Sequence, residues 1–135
     1  MIKHSIKKGL STIYEKEVSN FDAAGSFGSG VLDFLLSTPA AVTMALETAI
    51  QLLDPLLPAG YVTVGKSIEL QHRHPTLVGE KISLIVTVTE VAGEQVFLSI
   101  EIHDTHGLVC KGKHERFIMS SDQLIQIAYS RAEQK

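Results

Sequence analysis

The chain has 135 residues, 44% of them hydrophobic and 20% charged, which suits one globular domain over residues 1–135 with a real core. Its formal charge is -3 with the basic residues scattered, so the electrostatic footprint of a nucleic-acid-binding protein is excluded. No apolar stretch is long enough to span a bilayer, Met1-Ile2-Lys3-His4 does not begin a signal peptide, and the single Cys110 cannot close an internal disulfide. A cytoplasmic protein without membrane association is the expectation.

Residues 10 to 18 alternate weakly and predict a first strand. Residues 22 to 30 hold Gly25, Gly28 and Gly30 among small residues, with no preceding strand and no phosphate-binding lysine, so they read as a flexible loop. The segment from Phe21 to Leu36, with Phe27, Phe34 and Leu35, is the expected lid or pocket wall. From Thr38 to Leu53 a helix is predicted, with Thr38 as N-cap, Pro39 at the first helical position, and Asp54-Pro55 as the stop.

This helix is apolar nearly all round and carries one charge, Glu47, at its centre. Such a helix is normally buried, and a buried carboxylate is costly unless it is paired or kept protonated. Glu47 is therefore a candidate catalytic group; the plainer alternative sets it where the helix meets solvent or a partner subunit. A single curved sheet covers only part of such a helix, so a homodimer is expected to supply the rest.

After Gly60 the pattern alternates. Val62, Val64, Ile68 and Leu70 fall on one face, and parity carries that face to His72 if no bulge intervenes. Three further strands are predicted, at Ile82 to Val88, Val96 to Ile102 and Leu108 to Met119, joined by short turns near Gly93 and Gly107 as antiparallel hairpins. Ser120, Ser121 and Asp122 can cap a C-terminal helix over 119–135 that presents Leu124, Ile125 and Ala128.

An inward His72 beside an inward Glu47 would make an acid/base pair, while a satisfied core histidine is the bland alternative. His72 with His74, and His103 with His106, have metal-ligand spacing but lack a third ligand, so no metal and no cofactor is expected. On the last strand Cys110, Gly112, His114 and Arg116 share one parity; Gly112 is expected to leave space, and an inward Arg116 needs an anion such as Glu47 or a substrate phosphate, the more common alternative being an edge-strand ion pair with a surface acid.

The central-Glu helix, the segment Val64-Gly65 with His72 and Gly79 at seven-residue steps, and the stretch Gly112-Lys113-His114-Glu115-Arg116 together resemble the fluoroacetyl-CoA thioesterase-like family of hotdog-fold acyl-CoA thioesterases, over residues 32–118. The resemblance implies an α+β hotdog fold, a long buried helix wrapped by a curved antiparallel sheet of about five strands. It also implies hydrolysis of a small acyl-CoA, with the coenzyme A tail reaching the surface across a dimer or higher homo-oligomer. It implies a catalytic set of a helix threonine, Glu47 and His72, and substrate contacts at Gly65 and Arg116, with Phe34 on the pocket wall. The family threonine lies eight residues before the glutamate; here Pro39 holds that position and Thr38 lies nine before, so Thr38 is the first candidate hydroxyl and Thr43, which shares the Glu47 face, the second. A hotdog module that binds an acyl ligand without turnover is the alternative function; a hydratase would need an Asp and His pattern that the chain lacks.

Overall fold

A computed structural model describes residues 2–24 and 30–134. The elements run β1 (Ser11–Glu17), α1 (Thr38–Leu53), β2 (Tyr61–His72), β3 (Lys81–Ala92), β4 (Gln95–Asp104), β5 (Gly107–Ser120) and α2 (Ser121–Ala132), with short 3-10 turns at Asn20–Asp22, Gly30–Leu32 and Asp54–Leu56. The strands form one antiparallel sheet in the order β1-β3-β4-β5-β2. Every expected strand and both helices are present, and the β3-β4 and β4-β5 hairpins turn where the glycines fall. Gly93 and Gly107 hold positive φ, which a side chain disfavours. Residues 25–29 of the expected glycine-rich loop, and with them Phe27, lie outside the described residues.

The core lies between α1 and the face of the sheet that carries Leu84, Val86, Leu98, Ile100 and Ile118. The helix contributes one stripe to it, through Ala41, Met44, Ala45, Thr48, Ala49 and Leu53. Its opposite stripe, with Thr43, Glu47 and Ile50, is exposed, so a helix apolar by composition is covered on one face only. The expectation of a buried Glu47 is corrected for the single chain. The small alanines explain how the sequence hides this: they let the helix sit close to the sheet while the larger Ile50 faces away.

Two expectations about the sheet also change. A β-bulge between Gly65 and Ser67 inserts one residue into β2, so Thr63 and Gly65 share the helix-side face with Ile68, Leu70 and His72, while Val62 and Val64 turn outward. His72 keeps its inward direction because the bulge precedes Ile68. Gly112 leaves no space: a Cβ there would lie 2.0 Å from the Glu69 carbonyl oxygen and 2.9 Å from Leu70 Cα. The β2 backbone occupies that volume. A Gly112→Ala change should force β2 and β5 apart, costing about 1–3 kcal/mol as overpacking does, and lowering Tm by several degrees in a calorimetric scan.

Candidate active site

Ser37, one residue earlier than expected, caps α1; its side-chain oxygen accepts from Ala40 N at 3.1 Å. Thr38 is thus the first helical residue and its hydroxyl is free of capping. It instead meets His72 at the far end of β2, with Oγ1 to Nδ1 at 2.8 Å. Helix start and strand end are held in register by the segment between β2 and β3. Thr76, buried, accepts Leu36 N at its carbonyl at 2.8 Å and donates its hydroxyl to Asp104 at 2.9 Å. Ser37 N also donates to the Asp22 carbonyl at 2.7 Å.

The Thr38–His72 pair lies in a cleft of about 410 Å³ whose walls include Leu32, Leu35, Leu36, Pro39 and Pro75. Phe34 stands outside the cleft lining, 74% exposed, while its neighbours Leu35 and Leu36 form the wall. Burial pushes the His72 pKa below its ordinary value, opposed in part by the His74 backbone, so the ring is neutral at pH 7. With Nδ1 assigned as the acceptor of the Thr38 hydroxyl, Nε2 carries the proton. Nε2 is buried and has no hydrogen-bond partner among the described residues.

At the helix start Pro39 brings no N–H and Ser37 occupies that of Ala40, so among the described residues the Thr38 N–H is the one without a partner there. Stabilisation of an oxyanion at this helix terminus would thus rest on one donor and the dipole. Thr43 donates its hydroxyl to the Pro39 carbonyl at 2.9 Å, a helix back-bond, so of the two candidate hydroxyls it is that of Thr38 which meets His72.

Glu47 does not meet His72. Nine residues at about 100° and 1.5 Å each put it on the side of α1 opposite Thr38 and roughly 13 Å further along the axis. It makes no hydrogen bond or ion pair with any described residue.

Gly65 and Arg116 form a separate group, seven residues back along β2. They are cross-strand partners, and Arg116, 4% exposed, donates Nε to Thr63 Oγ1 and Nη2 to the Thr63 carbonyl, both at 2.8 Å. Its Nη1 donates to His114 Nε2 at 3.0 Å. The acid behind it is Asp54, at the end of α1, which accepts the Thr63 hydroxyl at 2.5 Å and the Thr63 N–H at 3.2 Å. The expected anion for Arg116 is therefore Asp54, reached through Thr63, and not Glu47. A Cβ on Gly65 would lie 3.3 Å from Arg116 Nη1, so the glycine lets the guanidinium lie close beneath the strand. The helix C-terminus and the strand bulge build this group jointly, and Thr63 and Asp54 carry no sequence signal for it beyond their proximity to the helix stop.

The two histidines beside the β4–β5 turn each pair with an acid: His103 with Glu101 and His106 with Glu80, each at 3.1 Å. Among the described residues no three His, Cys, Asp or Glu side chains are placed to hold a metal, and no helix is long and apolar enough to cross a membrane.

A comparison with curated proteins gives no match. Among solved structures the chain is similar to a hot-dog-like protein from Thermanaerovibrio acidaminovorans, with 32% identity and a TM-score of 0.89 over 95% of this chain and 94% of that one. It shares its fold with a thioesterase superfamily member from Thermus thermophilus, at 17% identity and TM-score 0.84 over 96% and 95% of the two chains. The fluoroacetyl-CoA thioesterase FlK is similar at 17% identity and TM-score 0.82, over 97% of this chain and 99% of that one. These likenesses and the antiparallel sheet packed on α1 bear out the hotdog fold. The sequence itself matches the fluoroacetyl-CoA-specific thioesterase family over residues 18–122, which bears out the expected class of enzyme, an acyl-CoA thioester hydrolase, and the chain belongs to that family.

Proposed function

We propose that this protein hydrolyses a small acyl-CoA to the free acid and coenzyme A, with Thr38 and His72 of one protomer and Glu47, Gly65 and Arg116 of the other completing each site of a homodimer. The observation that carries the reading is the 2.8 Å Thr38–His72 contact at the start of α1, inside an apolar cleft. A hydroxyl and a neutral imidazole on the wall of one cleft, at the N-terminal end of a helix, support an acyl-transfer site.

The partner is supported by what one chain leaves open. The outer edge of β2 pairs with no described strand, and the Glu47 stripe of α1 lies bare on the same side of the sheet as the core. Exposed edges of this length invite pairing, and a twofold contact is self-complementary. Antiparallel pairing of β2 with its own copy, centred on Glu69, sets His72 of one protomer across from the bulge at Lys66, beside Gly65 of the other. That geometry gathers two groups that one chain holds roughly 20 Å apart, seven strand residues at about 3.3 Å each.

In the reaction Glu47 takes a proton from water, whose oxygen attacks the thioester carbon. The carbonyl oxygen becomes an oxyanion facing the Thr38 N–H. Its collapse breaks the carbon–sulfur bond while the neutral His72 ring donates a hydrogen bond from Nε2 to the departing sulfur, and the proton that Glu47 took from water passes to the thiolate through solvent. Thr38 fixes the ring through Nδ1, and Arg116 with Gly65 contacts the substrate. A cytoplasmic location belongs to the same proposal, in keeping with the free thiol of Cys110.

Thiol release should be seen with at least one member of a panel of short, branched and fluorinated acyl-CoAs, followed with a disulfide chromogen. Tight acyl-CoA binding without any thiol release across the panel would instead make the protein a binding module.

A further inference from the structure

We infer that His114 is a positioning residue for the acyl-CoA site, a backbone-locked imidazole that aims the Arg116 guanidinium beneath Gly65. The inference rests on the reading that Arg116 contacts substrate.

His114 is 3% exposed and enters none of the steps above. Both of its ring nitrogens are engaged. Nδ1 lies 2.6 Å from the Ser67 carbonyl oxygen, which only accepts, so Nδ1 carries the proton and donates it. Nε2 is therefore a lone pair, and it receives Arg116 Nη1 at 3.0 Å. Burial and the adjacent guanidinium both hold the ring neutral. A protonated ring would have no acceptor to offer and would face a buried cation.

Ser67 belongs to the bulge of β2, and Gly65 stands at its other end. One imidazole thus ties the bulge to the guanidinium that lies beneath Gly65. With Nε and Nη2 held by Thr63, the His114 contact fixes the third direction of the planar fork. Arg116 has five N–H donors, of which these contacts take three. The two left over belong to Nη1 and Nη2, and the Nη1 atom is the one that a Gly65 Cβ would touch at 3.3 Å. A buried donor without an acceptor is costly, and a substrate oxygen reaching over Gly65 would satisfy it. Without the lone pair of His114, Nη1 turns toward any acceptor it can find, and the aim is lost.

The test separates the two bonds of the imidazole. His114→Asn keeps a donor for the Ser67 carbonyl and loses the acceptor for Arg116; His114→Gln extends an acceptor toward Arg116 and loses the tie to the bulge. Steady-state kinetics on the best acyl-CoA should show kcat/KM falling about tenfold or more in His114→Asn, as expected for a displaced binding group, and recovering by several-fold in His114→Gln. Both should have similar Tm. In a cycle with Arg116→Lys, the His114→Asn loss should vanish once Arg116 is changed, because the histidine acts through it. Equal losses in the two His114 variants that multiply with that of Arg116→Lys would show a purely structural histidine and overturn the inference. An Arg116→Lys enzyme as active as wild type would overturn the substrate role of Arg116 itself, while a crippled Arg116→Lys beside a normal His114→Asn would remove His114 alone.

Discussion

His72→Ala should lower kcat by about a hundredfold or more, the size typical of losing a positioned acid/base group, with a KM change of no more than a few-fold. In the proposed reaction the imidazole has two functions: it holds Thr38 through Nδ1, as the 2.8 Å contact shows, and its Nε2–H, which has no partner among the described residues, hydrogen-bonds to the departing sulfur. Thr38→Val removes the first function and leaves the second, so its loss should be smaller than that of His72→Ala; Thr38→Ser keeps the hydroxyl and should retain most activity. The pH profile of kcat gives a second check. Because burial lowers the His72 pKa, the neutral ring persists below pH 6.5, and activity should hold down to that point and fall as the pH drops through the depressed folded value. The same shift has a stability sign. An unfolded chain protonates His72 first, so the fold weakens over the same descending window, and the acid limb must be read where circular dichroism shows intact protein. A His72→Ala enzyme that hydrolyses as fast as wild type would remove the histidine from the chemistry.

Mixing two inactive variants should restore activity. Glu47→Gln and His72→Ala homodimers each lack one component of both sites. In a dimer with one chain of each kind, one site combines the two defects and the other is intact. Unfolding and refolding an equimolar mixture should yield half mixed dimers with one good site each, so activity near a quarter of wild type. This outcome requires that Glu47 and His72 act across the interface, since within one chain the exposed Glu47 does not meet His72. If the mixture stays inactive while size measurements confirm chain exchange, the glutamate is not supplied by the partner, and its exposed position on α1 is only a solvated one.

Much of the fold was legible because its signals are local. Alternation in β3, β4 and β5, glycines at the turns, and Asp54-Pro55 after the helix each act over a few residues. The bulge in β2 was not legible: Lys66 adds one residue to a strand without any change in composition, and so reverses the facing of Val62 and Val64. The glutamate misled for a related reason. A count of apolar residues around α1 cannot distinguish alanines, which pack against a sheet, from Ile50, which does not. At the site, His72 was found by parity, and the choice between Thr38 and Thr43 turned on capping. Ser37 is as good a cap as Thr38, and no spacing rule separates adjacent hydroxyls; the structure does, by giving one to the helix and the other to the histidine. Asp54 and Thr63 stayed hidden because their contact to Arg116 joins three distant segments.

Helix α2 is attached to the rest of the molecule differently from every other element. It begins with a capped turn at Ser120, touches β5, and buries none of its side chains, leaving Ile125, Ile127 and Tyr129 open. Its order is therefore a local equilibrium, with little share in the cooperative unit that holds the cleft. Amides along α2 should therefore exchange with solvent through fraying and not through global unfolding. The C-terminal dozen residues are the part of this protein on which a fusion, a label or a new recognition surface can be placed while the chemistry upstream is left as it is.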